Sequence, residues 1–421
     1  MVGILISFVV LLSAIILLIR LRFFVFSSFA KLISRFVSEL KSRQARRSFF
    51  LALSGTLGVG NIVGVAVGIL AGGAGAVFWL VVSSLFSMVL KYAEASLSSQ
   101  IIGSDHGIIS LIKSTCLNLG AVLSKLYAFL CILLSFFMGA MLQSSSVCTS
   151  LFSITGMSAI FIGVLLSFFV VIALVFKTSG IMRIVSWLLP IASVLYLLLC
   201  AICILKRLPY LPRVISDIIR CAFCIPSFSG GIIGFIVSSG LKEGFSRGLL
   251  SNEAGAGTST LAHGTNRISS ATGVGILGMG EVVVDTVIFC PATALAILVS
   301  IGDLSLYSSG VELIMASLGS AFRGADVVLS ICIFVFAYAT VICWFYYGAL
   351  SVKYVFGKGV VVFAALYLVS VVLGSFVSDV LAVWVTDVLL LFLTVLTTAT
   401  LIKRSGRLVE LSERAGLLRR L

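Results

Sequence analysis

Two stretches of this sequence place glycines and polar residues where an apolar helix should run. Ser54-Gly55-Thr56-Leu57-Gly58-Val59-Gly60-Asn61 interrupts one apolar run. Pro226-Ser227-Phe228-Ser229-Gly230-Gly231-Ile232-Ile233-Gly234 interrupts another. Each Gly weakens a helix by about 1 kcal/mol relative to Ala. A broken helix frees backbone N–H and C=O groups. Inside a membrane this is tolerated only where the backbone lines a cavity or is covered by protein. Freed N–H groups at a half-helix N-terminus suit an anion, and freed carbonyls suit a cation. A small-residue packing face would explain the first set of glycines but not Asn61, and a Pro-kinked helix is the competing reading of the second. No strand precedes the first stretch, so it is no dinucleotide loop. Glu281 and Asp285 lie four apart, which predicts one shared helix face. Acids in a membrane are costly and usually functional, so the pair is expected as an ion or proton path, with a structural hydrogen bond to a neighbouring helix as the alternative.

The elements that must hold these groups follow from composition. Of 421 residues, 60% are hydrophobic and 10% charged, against about 45–50% and 25% in soluble domains. That excludes an ordinary soluble enzyme, a disordered chain, a coiled coil and a collagen-like fibre. Long unbroken apolar runs exclude a period-two barrel. The fold expected is an all-α polytopic membrane protein. A spanning helix needs about 20 apolar residues, which gives about eleven spans. They lie near 2–19, 48–70, 75–97, 126–150, 156–176, 181–205, 215–248, 271–300, 325–350, 359–377 and 380–402. The net charge of +14 reads as a topology signal rather than a nucleic-acid footprint. The basic stretch 20–47 predicts an amphipathic helix on the cytoplasmic surface. The N-terminus is then outside and the basic tail 403–421 cytoplasmic. Only Lys206, Arg207, Arg213, Arg220 and Arg323 fall on the outer side. The ten Cys sit mostly in apolar runs and read as small hydrophobes.

The breaks fall in the second and seventh spans, five helices apart. Without the first span, ten helices divide into five and five, and two odd-numbered halves insert with opposite orientation. This is the inverted-repeat plan of secondary transporters. It divides the chain into an N-terminal helix and basic segment (1–47), two five-helix repeats (48–205 and 206–402) and the tail (403–421). No HExxH occurs and the acids form no nucleophile–base set, so an enzyme is not expected. A channel lacks support because no filter segment repeats, and a non-transporting sensor of the same shape stays open.

Gly55-Thr56-Leu57-Gly58-Val59-Gly60-Asn61-Ile62-Val63-Gly64-Val65-Ala66, Gly73-Ala74-Gly75-Ala76-Val77-Phe78-Trp79 and Lys91-Tyr92-Ala93-Glu94 resemble the alanine/glycine:cation symporter family. So do Arg247-Gly248-Leu249-Leu250-Ser251-Asn252-Glu253-Ala254-Gly255-Ala256-Gly257-Thr258-Ser259, Asp285-Thr286 and Trp344-Phe345-Tyr346-Tyr347-Gly348. The resemblance covers roughly residues 45–400. It implies the leucine-transporter fold and sodium-coupled, sometimes proton-coupled, uptake of small neutral amino acids such as alanine and glycine, with no further cofactor. Three places depart from the family. Gly103-Ser104-Asp105-His106-Gly107 replaces a GGPMYY-like block. Gly139-Ala140-Met141-Leu142-Gln143-Ser144-Ser145 keeps the family's Gln but neither Asn. Ala339-Thr340 replaces a Thr pair. These changes bear on substrate choice and ion coupling.

For an amino-acid substrate, the backbone of Gly58, Val59 and Gly60 is expected to take the carboxylate. Carbonyls near Thr56 and at Phe228, Ser229 and Gly230 are expected to take the ammonium. Gln143 would add a donor or acceptor from a facing helix, or only bridge two helices. Asn61 would touch the ligand or cap the break. Sodium needs a cage of oxygens, and the resemblance implies one from the Ser54 and Leu57 carbonyls with the Thr340 hydroxyl. Other polar residues carry weaker expectations. Lys91 and Glu94 read as interfacial, and His106 and His263 as cytoplasmic. Glu253 and Arg247 read as a loop clasp or gate pair, and Asp387 as the partner of a cation or a polar helix group. Trp344, Tyr346 and Tyr347 fit an inner aromatic belt. A bacterial inner membrane is the expected location.

Overall fold

The computed structural model describes residues 2–101, 106–116, 118–175, 177–223, 239–264, 266, 269–377 and 379–418. The second predicted break, with Phe228, Ser229 and Gly230, lies outside the described residues. All regular structure among the described residues is helical. Among the described residues, eight helices are long and apolar enough to cross a membrane, and Ala159–Val175 and Val360–Gly374 are shorter apolar helices.

The chain begins with α1 (Val2–Arg20), which carries no charge before Arg20. The basic segment then divides. Phe29–Glu39 forms the amphipathic α2, but Arg43, Arg46 and Arg47 belong to the first turn of α3 (Arg43–Thr56), capped by Ser42. The helix therefore starts five residues before the predicted span, because nothing between Arg43 and Ser48 opposes it. α3 stops at Thr56 and α4 (Gly60–Gly72) takes over. α5 (Gly75–Ser99) follows. α6 (Gly120–Leu134) runs through a wide π turn, Ser135–Met141, into α7 (Leu142–Thr155). α8 (Ala159–Val175) and α9 (Lys177–Lys206) follow.

The predicted seventh span begins differently. α10 (Leu211–Ala222) buries Val214, Ile218 and Ala222 along one stripe and leaves Arg213 and Asp217 in water. It is a short amphipathic helix, because its charges recur every few residues. Helix resumes as α11 (Ser239–Asn252). α12 (Ala271–Val282), capped by Ser270, passes through a second π turn, Val283–Phe289, into α13 (Cys290–Ser300). α14 (Ala325–Phe356) runs 32 residues between left-handed glycines, Gly324 and Gly357. α15 (Val360–Gly374), α16 (Asp379–Lys403) and α17 (Ser405–Arg414) end the chain.

α5 lies at the centre, against α11 and α12. Small residues allow this. A Cβ on Gly244 would sit 2.1 Å from the Ala76 carbonyl oxygen, and one on Gly275 would sit 1.9 Å from Ser96 Oγ. Lipid tails are as apolar as Leu, so such close backbone approach, rather than hydrophobic burial, holds membrane helices together. Gly244→Val should therefore break the α5–α11 contact, with overpacking strain of about 3 kcal/mol. The expected outcome is an aggregated or early-melting protein in detergent, read by size-exclusion chromatography and thermal unfolding.

α17 folds back onto the basic N-terminal segment. Arg22 pairs with Glu413 at 3.2 Å. Arg20 donates to Ser405 Oγ at 2.8 Å, and Arg35 donates to the Ala415 carbonyl at 2.7 Å. The two basic segments thus lie against each other.

Candidate functional site

The first break is built as the glycines predict. Leu57 leaves the helical region at ψ 74. The Gly58 N–H bonds the Thr56 carbonyl at 2.9 Å, and the Val63 N–H returns to the Val59 carbonyl at 2.7 Å as α4 begins. The break strands the carbonyls at the end of α3, and α14 covers them. The Thr340 hydroxyl lies 2.9 Å from the Ser54 carbonyl and 3.0 Å from the Phe336 carbonyl of its own helix, and its one hydrogen is shared between them. Trp344 Nε1 donates to the Gly55 carbonyl at 3.2 Å. Trp344, Tyr346 and Tyr347 are all buried, so they form no aromatic belt. Trp344 points inward, where the broken helix needs a donor.

Gln143 reaches the break from α7. Its Oε1 accepts the Val59 N–H at 3.3 Å, and its Nε2 donates to the Met138 carbonyl at 3.3 Å across the π turn. One amide expected to hold a substrate carboxylate is therefore occupied by Gln143 in this state. Gly60 is exposed, and no heavy atom lies within 4 Å of a Cβ built on Gly60 or Gly64, so open space adjoins the start of α4. Asn61 is fully buried, and neither of its amide atoms has a hydrogen-bond partner among the described residues. A capping role would have given it one. A buried, unpaired amide costs about 1–3 kcal/mol, so this one is suited to a ligand.

Asp285 closes the opposite wall. Ser251 and Thr286 donate to its Oδ1 at 2.8 and 2.9 Å. Thr56 and Asn61 lie beside it, while its Oδ2 has no hydrogen-bond partner among the described residues. Glu281, four residues earlier, engages different groups. It meets His263 Nε2 at 2.5 Å and the Lys91 ammonium at 3.6 Å. The π turn beginning at Val283 separates the two carboxyls. π turns inside helices are frequent at functional sites, and both of those here adjoin the break.

Several weaker expectations are corrected. Lys91 and Glu94 are fully buried, not interfacial, and His263 is buried against Glu281. Glu253 bonds Thr258 within its own loop at 2.5 Å, so it is a clasp. Arg247 instead faces Asp387. The loop after α11 folds inward, where the Gly255 N–H donates to Glu94 and Tyr127 donates to the Ala256 carbonyl at 2.6 Å. Charge spacing along single helices cannot reveal such burial, because the partners come from elements far apart in sequence. Of the residues expected to hold sodium, the structure brings Ser54 and Thr340 together, with Leu57 at the turn itself.

The sequence pattern of the sodium:alanine symporter family matches residues 1–412. The chain belongs to this family. The sodium/alanine symporter AgcS of Methanococcus maripaludis is 28% identical over 344 residues, 78% of this chain and 74% of that one. YrbD of Bacillus subtilis, described as a putative sodium/proton-dependent alanine carrier protein, is 28% identical over 335 residues, covering 75% and 68%. A crystal structure of the Eremococcus coleocola manganese transporter shares the fold, with a TM-score of 0.53 and 14% identity over 84% of this chain and 75% of that one. This member of the sodium:alanine symporter family is a multi-pass membrane transporter, not an enzyme.

Proposed function

We propose that the protein couples sodium to the uptake of a small neutral amino acid, alanine or glycine, by alternating access. The observation that carries this is the break at Leu57–Val59, covered by Gln143 and Thr340 and facing the buried, incompletely bonded Asn61 and Asp285. An amino acid brings one negative and one positive group. The Gly60 N–H suits its carboxylate, joined by that of Gly58 once it leaves the Thr56 carbonyl. Its ammonium suits Thr56 and Asp285. Gln143 would release Val59 or share it with the carboxylate. Sodium would sit at the Ser54 and Leu57 carbonyls and Thr340. The halves 48–205 and 206–402 would rock against each other, in a bacterial inner membrane with the N-terminus outside and the C-terminus cytoplasmic.

The test is labelled alanine uptake into liposomes under an inward sodium gradient, against choline. Sodium-driven accumulation is expected. Uptake equal in choline at every pH would overturn sodium coupling, and absence of alanine counterflow would overturn transport of alanine and favour a sensor. Thr340→Val should raise the sodium concentration for half-maximal uptake by about tenfold, a cost of about 1.4 kcal/mol, while Thr340→Ser stays near wild type. Sodium titrations of initial rate measure both. Proton coupling is the second reading, favoured by the buried ionisable network around Lys91.

A further inference from the structure

Six ionisable side chains form a buried network between the break and the end of α12 that starts at Ala271. Lys91 sits among four carboxyls, Glu281, Glu94, Glu253 and Asp285. His263 joins through Glu281. None of the six is more than 3% exposed. Four carboxyls face one ammonium, so full ionisation would bury an excess of negative charge. Each uncompensated charge costs several kcal/mol in a protein interior, and the network must therefore carry protons or a cation.

The members are not equivalent. Glu94 on α5 accepts the Gly255 N–H and Glu253 accepts the Thr258 hydroxyl, both at 2.5 Å, which ties one oxygen of each to the loop after α11. His263 Nε2 and Glu281 Oε1 are also 2.5 Å apart, but either atom can own the proton between them. The Lys91 ammonium, 3.6 Å from the other Glu281 oxygen and bonded to Ser259 at 2.9 Å, remains as countercharge when that proton leaves. Glu281 is also within electrostatic reach of Glu94, Tyr347 and Cys343, and Asp285 lies one turn further along its own helix. The three core members come from α5, the short turn Thr260–His263 and α12, so a shift of α12 against α5 would change the proton's environment.

We propose that His263 and Glu281 form a proton-binding site, with Lys91 as its fixed countercharge, separate from the cation position at Ser54 and Thr340, and that one proton is taken up and released there in each transport cycle. The proposal rests on the transporter reading above and deepens it. The proton enters from water on the side on which substrate binds, is held as N–H or O–H between His263 and Glu281, and returns to water on the other side. It explains why a His, a Lys and a Glu are buried together with no role in the break.

The test uses the full chain in liposomes containing a trapped pH dye. Alanine added outside should acidify the lumen. Glu281→Gln and His263→Gln keep shape but cannot pass the proton, and each should reduce acidification about tenfold while alanine counterflow at equal pH stays within about threefold of wild type. Counterflow with no acidification in wild type, or unchanged acidification in both variants, would overturn the proton site and leave the transport reading standing. A second readout needs no transport. The chain has only two His, so nitrogen NMR of histidine-labelled protein resolves His263, assigned by His263→Gln. Its ring signal should change when Glu281→Gln removes the carboxylate that Nε2 meets. A ring signal indifferent to Glu281→Gln would sink the proposal. Loss of sodium dependence in Glu281→Gln with acidification intact would assign the network to sodium instead.

Discussion

Gly58→Val should abolish uptake while leaving the protein folded. A Cβ on Gly58 would lie 2.5 Å from Thr340 Oγ1 and 3.2 Å from Gln143 Oε1. Valine adds two further methyl groups. Either Thr340 leaves the Ser54 carbonyl or Gln143 leaves the Val59 N–H, and the break loses its cover from α14 or α7. Strain of about 3 kcal/mol concentrated at the break corresponds to a rate loss of about a hundredfold. Gly406→Ala supplies the control. A Cβ there meets nothing within 4 Å, and the residue lies within α17, so helix propensity should make the protein slightly more stable with uptake unchanged. Labelled alanine uptake and thermal unfolding in detergent, measured on both variants, decide the matter. Normal uptake in Gly58→Val would show that the break is a passive packing face.

Asp285→Asn should be nearly as severe, for an electrostatic reason. An amide can still accept from Ser251 and Thr286, so the wall of the site should keep its shape. What it loses is the negative charge beside Thr56 and Asn61. Removing one partner of a buried charge pair costs about 3–5 kcal/mol, and the positive partner here would be the substrate ammonium or the coupling ion. Alanine uptake should fall about a hundredfold or more, and alanine should no longer raise the melting temperature, by linkage of binding to stability. If Asp285→Asn transports normally, the carboxyl serves only to tie α11 to α12, through Ser251. An intermediate result, with binding retained and uptake lost, would place Asp285 in the conformational cycle rather than in ligand recognition.

These two predictions separate what each level of description can see. Residues 54–61 announce a broken helix by themselves, because glycine lacks the propensity to continue one and no packing partner restores it. The helical membrane class is equally local. An excess of apolar residues over any soluble core is a property of composition, and helices satisfy their own backbone within one segment. Thr340 and Gln143 could be marked as polar residues on apolar helices. Where they point could not, since Gln143 reaches Val59 beyond a π turn and Thr340 serves a carbonyl 286 positions away. Periodicity placed Glu281 and Asp285 together, yet the π turn from Val283 gives them different partners. It likewise left Lys91, Glu94 and His263 near water, where isolated charges belong. Only tertiary structure buries them, because a charge becomes tolerable inside a membrane when countercharges arrive from other helices, and those contacts are set by packing rather than by spacing along any one segment.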